Sequence, residues 1–175
     1  LQAVYAQEHA VLKTLFTFSG SASDVKGFTT GEAFAAAFHF VPSQFLMIQK
    51  VLAEIRKHGN AGKSFSGAER SMLSGFQEAA QQMQHRDEYA LVPFHLFYDT
   101  VHTALESAIR RVIDRCQSAA DHRDGLEPQD VPVLKLLYLL RYMDGELLSS
   151  FGNIAVLMIY SIHTEQIALR ASVAA

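Results

Sequence analysis

Tryptophan is absent, and cysteine occurs once, at Cys116. One thiol cannot close an internal disulfide, so an apolar core must hold the fold, as suits a reducing cytosol. No apolar run approaches the ~18 residues of a membrane span. A surplus of positive charge is also missing. The 15 Lys and Arg face 18 Asp and Glu, for a net charge of −3. That excludes a surface basic overall and confines any nucleic-acid contact to local patches. No GxSxG motif is present, so serine hydrolysis has no support. Cys116 falls on an apolar helical stripe, where cysteine acts as a small hydrophobe. His122, six residues on, does not make it a nucleophile.

A phosphate-binding loop is missing too, although the chain imitates one. Gly62-Lys63-Ser64 resembles the end of GxxxxGK[ST], whose four intervening residues wrap N–H groups around phosphate. The first glycine belongs at position 57, which is Lys57. Gly59 is two residues too close, and no strand-like run precedes the loop. Ser66-Gly67-Ala68-Glu69 imitates a transporter-ATPase signature without its partner motifs. Its plainer reading is a capping box, with Ser66 and Glu69 satisfying free N–H groups at a helix start.

What remains is helical patterning nearly throughout, on a chain of 175 residues that is 49% hydrophobic. The periodicity predicts an all-α fold of about seven helices with short connections. A first helix spans 1–18, followed by a small, polar linker at 19–26. A Thr29/Glu32 capping box starts a short helix ending near 39. Pro42 opens the next, with Phe45, Ile48, Leu52 and Ile55 on one face. Arg56, Lys57 and His58 suit its negative end, and Gly59 terminates it. The helix after Ser66 runs to about 85 and buries Met72, Leu73, Phe76, Ala80 and Met83. Pro93 starts a long helix to about 118, with the stripe Phe97, Val101, Leu105, Ala108, Val112 and Cys116. The most apolar helix follows Pro128. Ser149 or Ser150 caps another, and Thr164 a last one. Three divisions follow: an N-terminal helix and linker at 1–28, a lid-like or adaptor region at 29–124, and a truncated three-helix module at 125–175.

Three constellations could carry chemistry. His95, Asp99, His102 and Glu106 share one face of a helix, a spacing that can hold a divalent metal. That face lies about 100° from the apolar stripe, so a solvated polar surface is the plainer reading. Arg56, Lys57, Lys63 and Arg70 form one basic group, and Arg110, Arg111 and Arg115 another. Arginine can contact phosphate of a nucleotide or of nucleic acid, whereas i, i+4 pairs such as Glu106 with Arg110 would make these ordinary solvated faces. The three helices of 125–175 follow the order of a helix-turn-helix or winged-helix core. Its recognition residues would be Thr164, Glu165, Gln166 and Arg170. Such a core can equally bind protein.

Several ordered blocks carry a family resemblance. VPSQFLMIQKVLAEIRKHGNAGKSFSGAERSMLSGFQEAA (Val41–Ala80), LVPFHLFYDTV (Leu91–Val101), IRRVIDR (Ile109–Arg115) and GLEPQDVPVLKLLYLLRYMD (Gly125–Asp144) stand in order. Together they resemble a region of the large P-loop ATPase of BREX phage-defence systems, over roughly Phe38–Met158. The resemblance implies a non-catalytic helical segment downstream of a nucleotide-binding core. It implies a cytoplasmic bacterial parent that binds ATP and Mg²⁺ and acts with a DNA methyltransferase and other system components. No cofactor is expected in this segment itself. DNA and a second copy of the chain stay open as partners. Leu1 and Ala175 then read as cuts in a longer protein. The alternative is a stand-alone helical module that dimerises through an apolar face, and a metal-binding four-helix enzyme ranks third.

Overall fold

The computed structural model describes residues 1–20, 25–58, 68–102, 107–143, 145–165 and 173. The fold is all-α. Its helices are α1 (Gln2–Leu15), α2 (Gly31–Ala37), α3 (Pro42–His58), α4 (Ala68–Met83), α5 (Tyr98–His102), α6 (Ser107–Asp121), α7 (Asp130–Leu140) and α8 (Phe151–Leu157). Short 3-10 turns at Phe94–Phe97 and Arg141–Met143 precede α5 and extend α7. Ala90 and Ser161 form an isolated antiparallel bridge. None of the described helices is long and apolar enough to cross a membrane.

Two cores lie on either side of this bridge. The larger gathers Met47, Ile48, Val51, Leu52 and Ile55 of α3 with Phe94, Phe97, Leu136, Leu139 and Met143. The smaller joins Leu12, Leu15 and Phe16 to Phe28, Phe34, Ile159 and Ile162. Segment 89–94 runs between them. Its side chains alternate as in any extended backbone: Leu91 enters the smaller core and Val92 the larger. α8 does the same by helical period, sending Val156 one way and Ile154 and Leu157 the other.

Burial of segment 89–94 obliges its backbone to find partners. Leu91 N–H donates to the Tyr160 carbonyl at 2.9 Å, and Ile162 N–H to the Tyr89 carbonyl at 3.0 Å. From the opposite side Val92 N–H donates to the His39 carbonyl at 3.1 Å, and His39 Nδ1 lies 2.8 Å from the Ala90 carbonyl. Gln44 completes the set. Its side chain is 3% exposed; it accepts from Val41 N–H at 3.1 Å and donates to the Val92 carbonyl at 2.6 Å. A second clamp closes the N-terminal region onto α8. Buried Asn153 accepts from Ser19 N–H at 2.9 Å and donates to the carbonyls of Ser19 and Leu148.

Several sequence expectations need correction. α1 stops at Leu15, three residues before Phe18, because Phe16 leaves helical geometry to enter the smaller core. Thr30, not Thr29, caps α2 and accepts from Ala33 N–H at 3.1 Å. On α3, Ile48, Leu52 and Ile55 are buried as expected, but Phe45 is 38% exposed. On α4 the inward row is Met72, Gly75, Phe76, Ala79 and Met83, whereas Leu73 is 70% exposed and Ala80 is exposed. Gly75 belongs to that row because a Cβ there would meet Thr100 of α5 at 3.0 Å. The long helix from Pro93 begins instead as a 3-10 turn. The expected stripe holds at Phe97 and Val101, both fully buried. On α6 the buried positions are Ile109, Ile113 and Ala120, while Val112 is 44% exposed and Ala108 is exposed, so the inward row there is displaced by one residue. The helix expected at 149–160 closes at Leu157, although its cap is Ser150, which accepts from Asn153 N–H. Ser66, Leu105 and Asp144 lie outside the described residues.

Replacing Gln44 by Leu would leave a buried N–H and a buried carbonyl without partners. Each such group costs about 1–3 kcal/mol. Urea unfolding is expected to show a loss of about 2–4 kcal/mol at unchanged m-value.

Candidate functional site

The 3-10 turn, α5, α6 and α7 meet in a polar corner. Tyr98 is its centre: 1% exposed, yet among the described residues its hydroxyl has no hydrogen-bond partner. Lys135 of α7 stands 5.4 Å over the Tyr98 ring and pairs with Asp99 at 2.9 Å. The His102 ring lies 5.7 Å from that of Tyr98 and its Nε2 is 3.8 Å from Asp114 of α6. Among the described residues Arg110 Nε is buried without a partner, as is His95 Nδ1.

The electrostatics follow from this packing. Burial, reinforced by the Lys135 cation, pushes the His95 pKa down from 6.5 to about 4, with Asp99 opposing. The ring is therefore neutral at pH 7. Burial raises the Tyr98 phenol far above its ordinary value; Asp114, Asp99 and Tyr138 add to this and Arg110 opposes it. Neither His95 nor Tyr98 changes charge near neutrality. What the corner supplies is coupling, since a chain of charges and rings ties α5, α6 and α7 together.

The residues singled out in the sequence land in several places. His95 is not on a solvated flank; the 3-10 turn points its Nδ1 inward. Asp99 and His102 are taken by Lys135 and Asp114. Glu106 lies outside the described residues, and no group of three metal-ligating side chains occurs among the described ones. Arg56 and Lys57 are exposed on the last turn of α3, where Lys57 pairs with Glu54. Lys63 and the side chain of Arg70 are outside the description. The arginines of α6 diverge: Arg110 is half-buried in the corner, and Arg111 and Arg115 are exposed. Thr164 does not lie in a short helix-to-helix turn. Its hydroxyl accepts from Ser161 N–H at 3.1 Å, and it lines a 470 Å³ cleft with Arg86, Asp87, His163 and Glu165. Gln166 and Arg170 are outside the described residues. Tyr98 and Lys135 went unnoticed in the sequence, because their association is tertiary; Asp99 beside Tyr98 was the one available signal.

The folded-state pKa of His95 gives the sign of one pH effect. Above pH 6.5 the folded and unfolded chains both carry the neutral ring. Between pH 6.5 and about 4 only the unfolded chain takes up the proton, so stability falls as pH falls, by at most about 3 kcal/mol from this residue. His95→Leu is expected to flatten that limb of stability against pH in denaturant titrations. Tyr98→Phe removes a buried hydroxyl that has no partner among the described residues. It should leave stability within about 1 kcal/mol of the parent, on the stabilising side, in the same assay.

No protein-family model matches the chain, and no solved structure matches it.

Proposed function

We propose that this chain is a non-catalytic helical region of a large P-loop ATPase of a BREX anti-phage system, coupling nucleotide state to contacts with a partner protein or DNA. The observation that carries the reading is the ordered set of sequence blocks across Phe38–Met158. In it, α3 and α4 would pack against the nucleotide-binding core, outside this chain, and respond to ATP and Mg²⁺ bound there. The polar corner would pass that response from α5 through α6 to α7. Arg111 and Arg115, exposed on α6, would contact phosphate or an acidic partner. The parent would be cytoplasmic and work with the system's DNA methyltransferase.

A second reading is a stand-alone helical module that pairs with its own copy. Leu148 and Phe151, three residues apart and 60% and 64% exposed, favour it.

Two experiments separate these. The complete reading frame is expected to hold GxxxxGK[ST] between a strand and a helix upstream of Leu1; a start codon just before Leu1 and a stop soon after Ala175 would leave the second reading. In the full-length protein, Arg111→Glu with Arg115→Glu should preserve folding and basal ATP hydrolysis but cut phage restriction at least tenfold. Unchanged hydrolysis, assembly and restriction would remove the role assigned to α6.

A further inference from the structure

We propose that the groove between α1 and the extended segment 25–29 is a docking site for an acidic peptide segment that carries an apolar side chain. The groove encloses about 630 Å³. Its floor is apolar and firm. Leu12, Phe16 and Phe28 are 1%, 8% and 5% exposed, and the two phenylalanine rings meet edge to face at 5.8 Å. Gly27 seats the segment on Phe16, just past the end of α1: a Cβ there would come within 2.4 Å of the Phe16 Cβ. Such a floor is an apolar well that needs no rearrangement to receive a side chain.

Among the described residues the rim has one sign. Lys13 of α1 and Lys26 of the segment are exposed, His9 stands beside them, and no described Asp or Glu lines the groove. Among the described residues no carboxylate pairs with either lysine. This departs from a chain whose net charge is −3. It also departs from two other clefts. In one, Glu54 and Glu146 neutralise Lys57 and Lys50; the other sets Asp87 and Glu165 against Arg86. A positive rim around an apolar well complements a segment whose carboxylates reach the ammonium groups while an aliphatic or aromatic side chain fills the floor.

Single-stranded nucleic acid fits less well. Base stacking needs open aromatic faces. Here Phe16 and Phe28 are covered by their edge-to-face neighbours, which include Phe34 at 5.0 Å from Phe28. The inference does not rest on the ATPase reading and can fail independently of it.

The test is fluorescence anisotropy with three fluorescein-labelled probes of similar length: an alternating Glu-Leu peptide, oligoglutamate and oligo-dT. The Glu-Leu peptide should bind saturably, weaken with added salt, and bind at least tenfold more tightly than oligoglutamate. Lys13→Glu with Lys26→Glu should weaken it at least tenfold with the helical circular-dichroism signal intact; Lys13→Ala with Lys26→Ala provides the same readout should the reversal unfold. Absence of saturation, affinity unchanged from the parent in the lysine variants, or tighter lysine-dependent binding of oligo-dT would each overturn the proposal.

Discussion

An extended backbone inside a helical protein has no ladder of its own, so each buried N–H and C=O must be met from outside. Segment 89–94 sits under that constraint, and the rest of the architecture is arranged to relieve it. The 160–162 segment pairs with it on one side, while His39 and Gln44 reach it from the other. Leu91 and Val92 face opposite ways and enter two different cores. The positions of α1 and α2 on one side, and of α3 and α7 on the other, follow from which core they complete. Asn153 then closes the ring by binding Ser19 and Leu148.

The polar corner stands immediately downstream of this spine, which explains its form. Segment 89–94 leads through Pro93 into a 3-10 turn rather than a full α-helix. The turn directs His95 Nδ1 inward and leaves Tyr98 under Lys135. Buried polar groups without partners are costly, yet among the described residues three occur in one corner beside the Asp99–Lys135 and His102–Asp114 pairs. The Lys135–Asp99 ion pair joins α7 to α5, and the His102–Asp114 contact joins α5 to α6. A relay in the proposed ATPase would use such a coupling, because displacement of any one of these helices alters the pairing of the others.

Local rules made much of the fold legible. Pro42 and Ser150 mark helix starts because they act on the backbone beside them, and the buried row Ile48, Leu52 and Ile55 follows from a single helical period. Long-range terms hid the rest. Val112 continues the period of the buried Phe97 and Val101, but on α6 the inward row is displaced by one residue to Ile109 and Ile113. Leu73 shares an apolar pattern with Met72 and Phe76, but Gly75 brings α4 onto Thr100 and turns Leu73 out. The tertiary role of 89–94 was invisible, since only its two distant partner segments make it a spine. For the site, the carboxylate and imidazoles of Asp99, His102 and His95 were legible as a group. Their chemistry was not: Lys135, 36 residues beyond Asp99, decides it.

Native-state amide hydrogen exchange of Leu91, Val92 and Ile162 tests the central claim most directly. These three N–H groups bind the carbonyls that join the two halves. The account expects them to exchange only through global unfolding, with opening free energies equal to that from denaturant unfolding. Exchange at rates close to those of an unfolded chain, while the helical amides of α3 and α7 stay protected, would contradict it: the 89–94 segment would then be a mobile connection, not the element on which both cores are built.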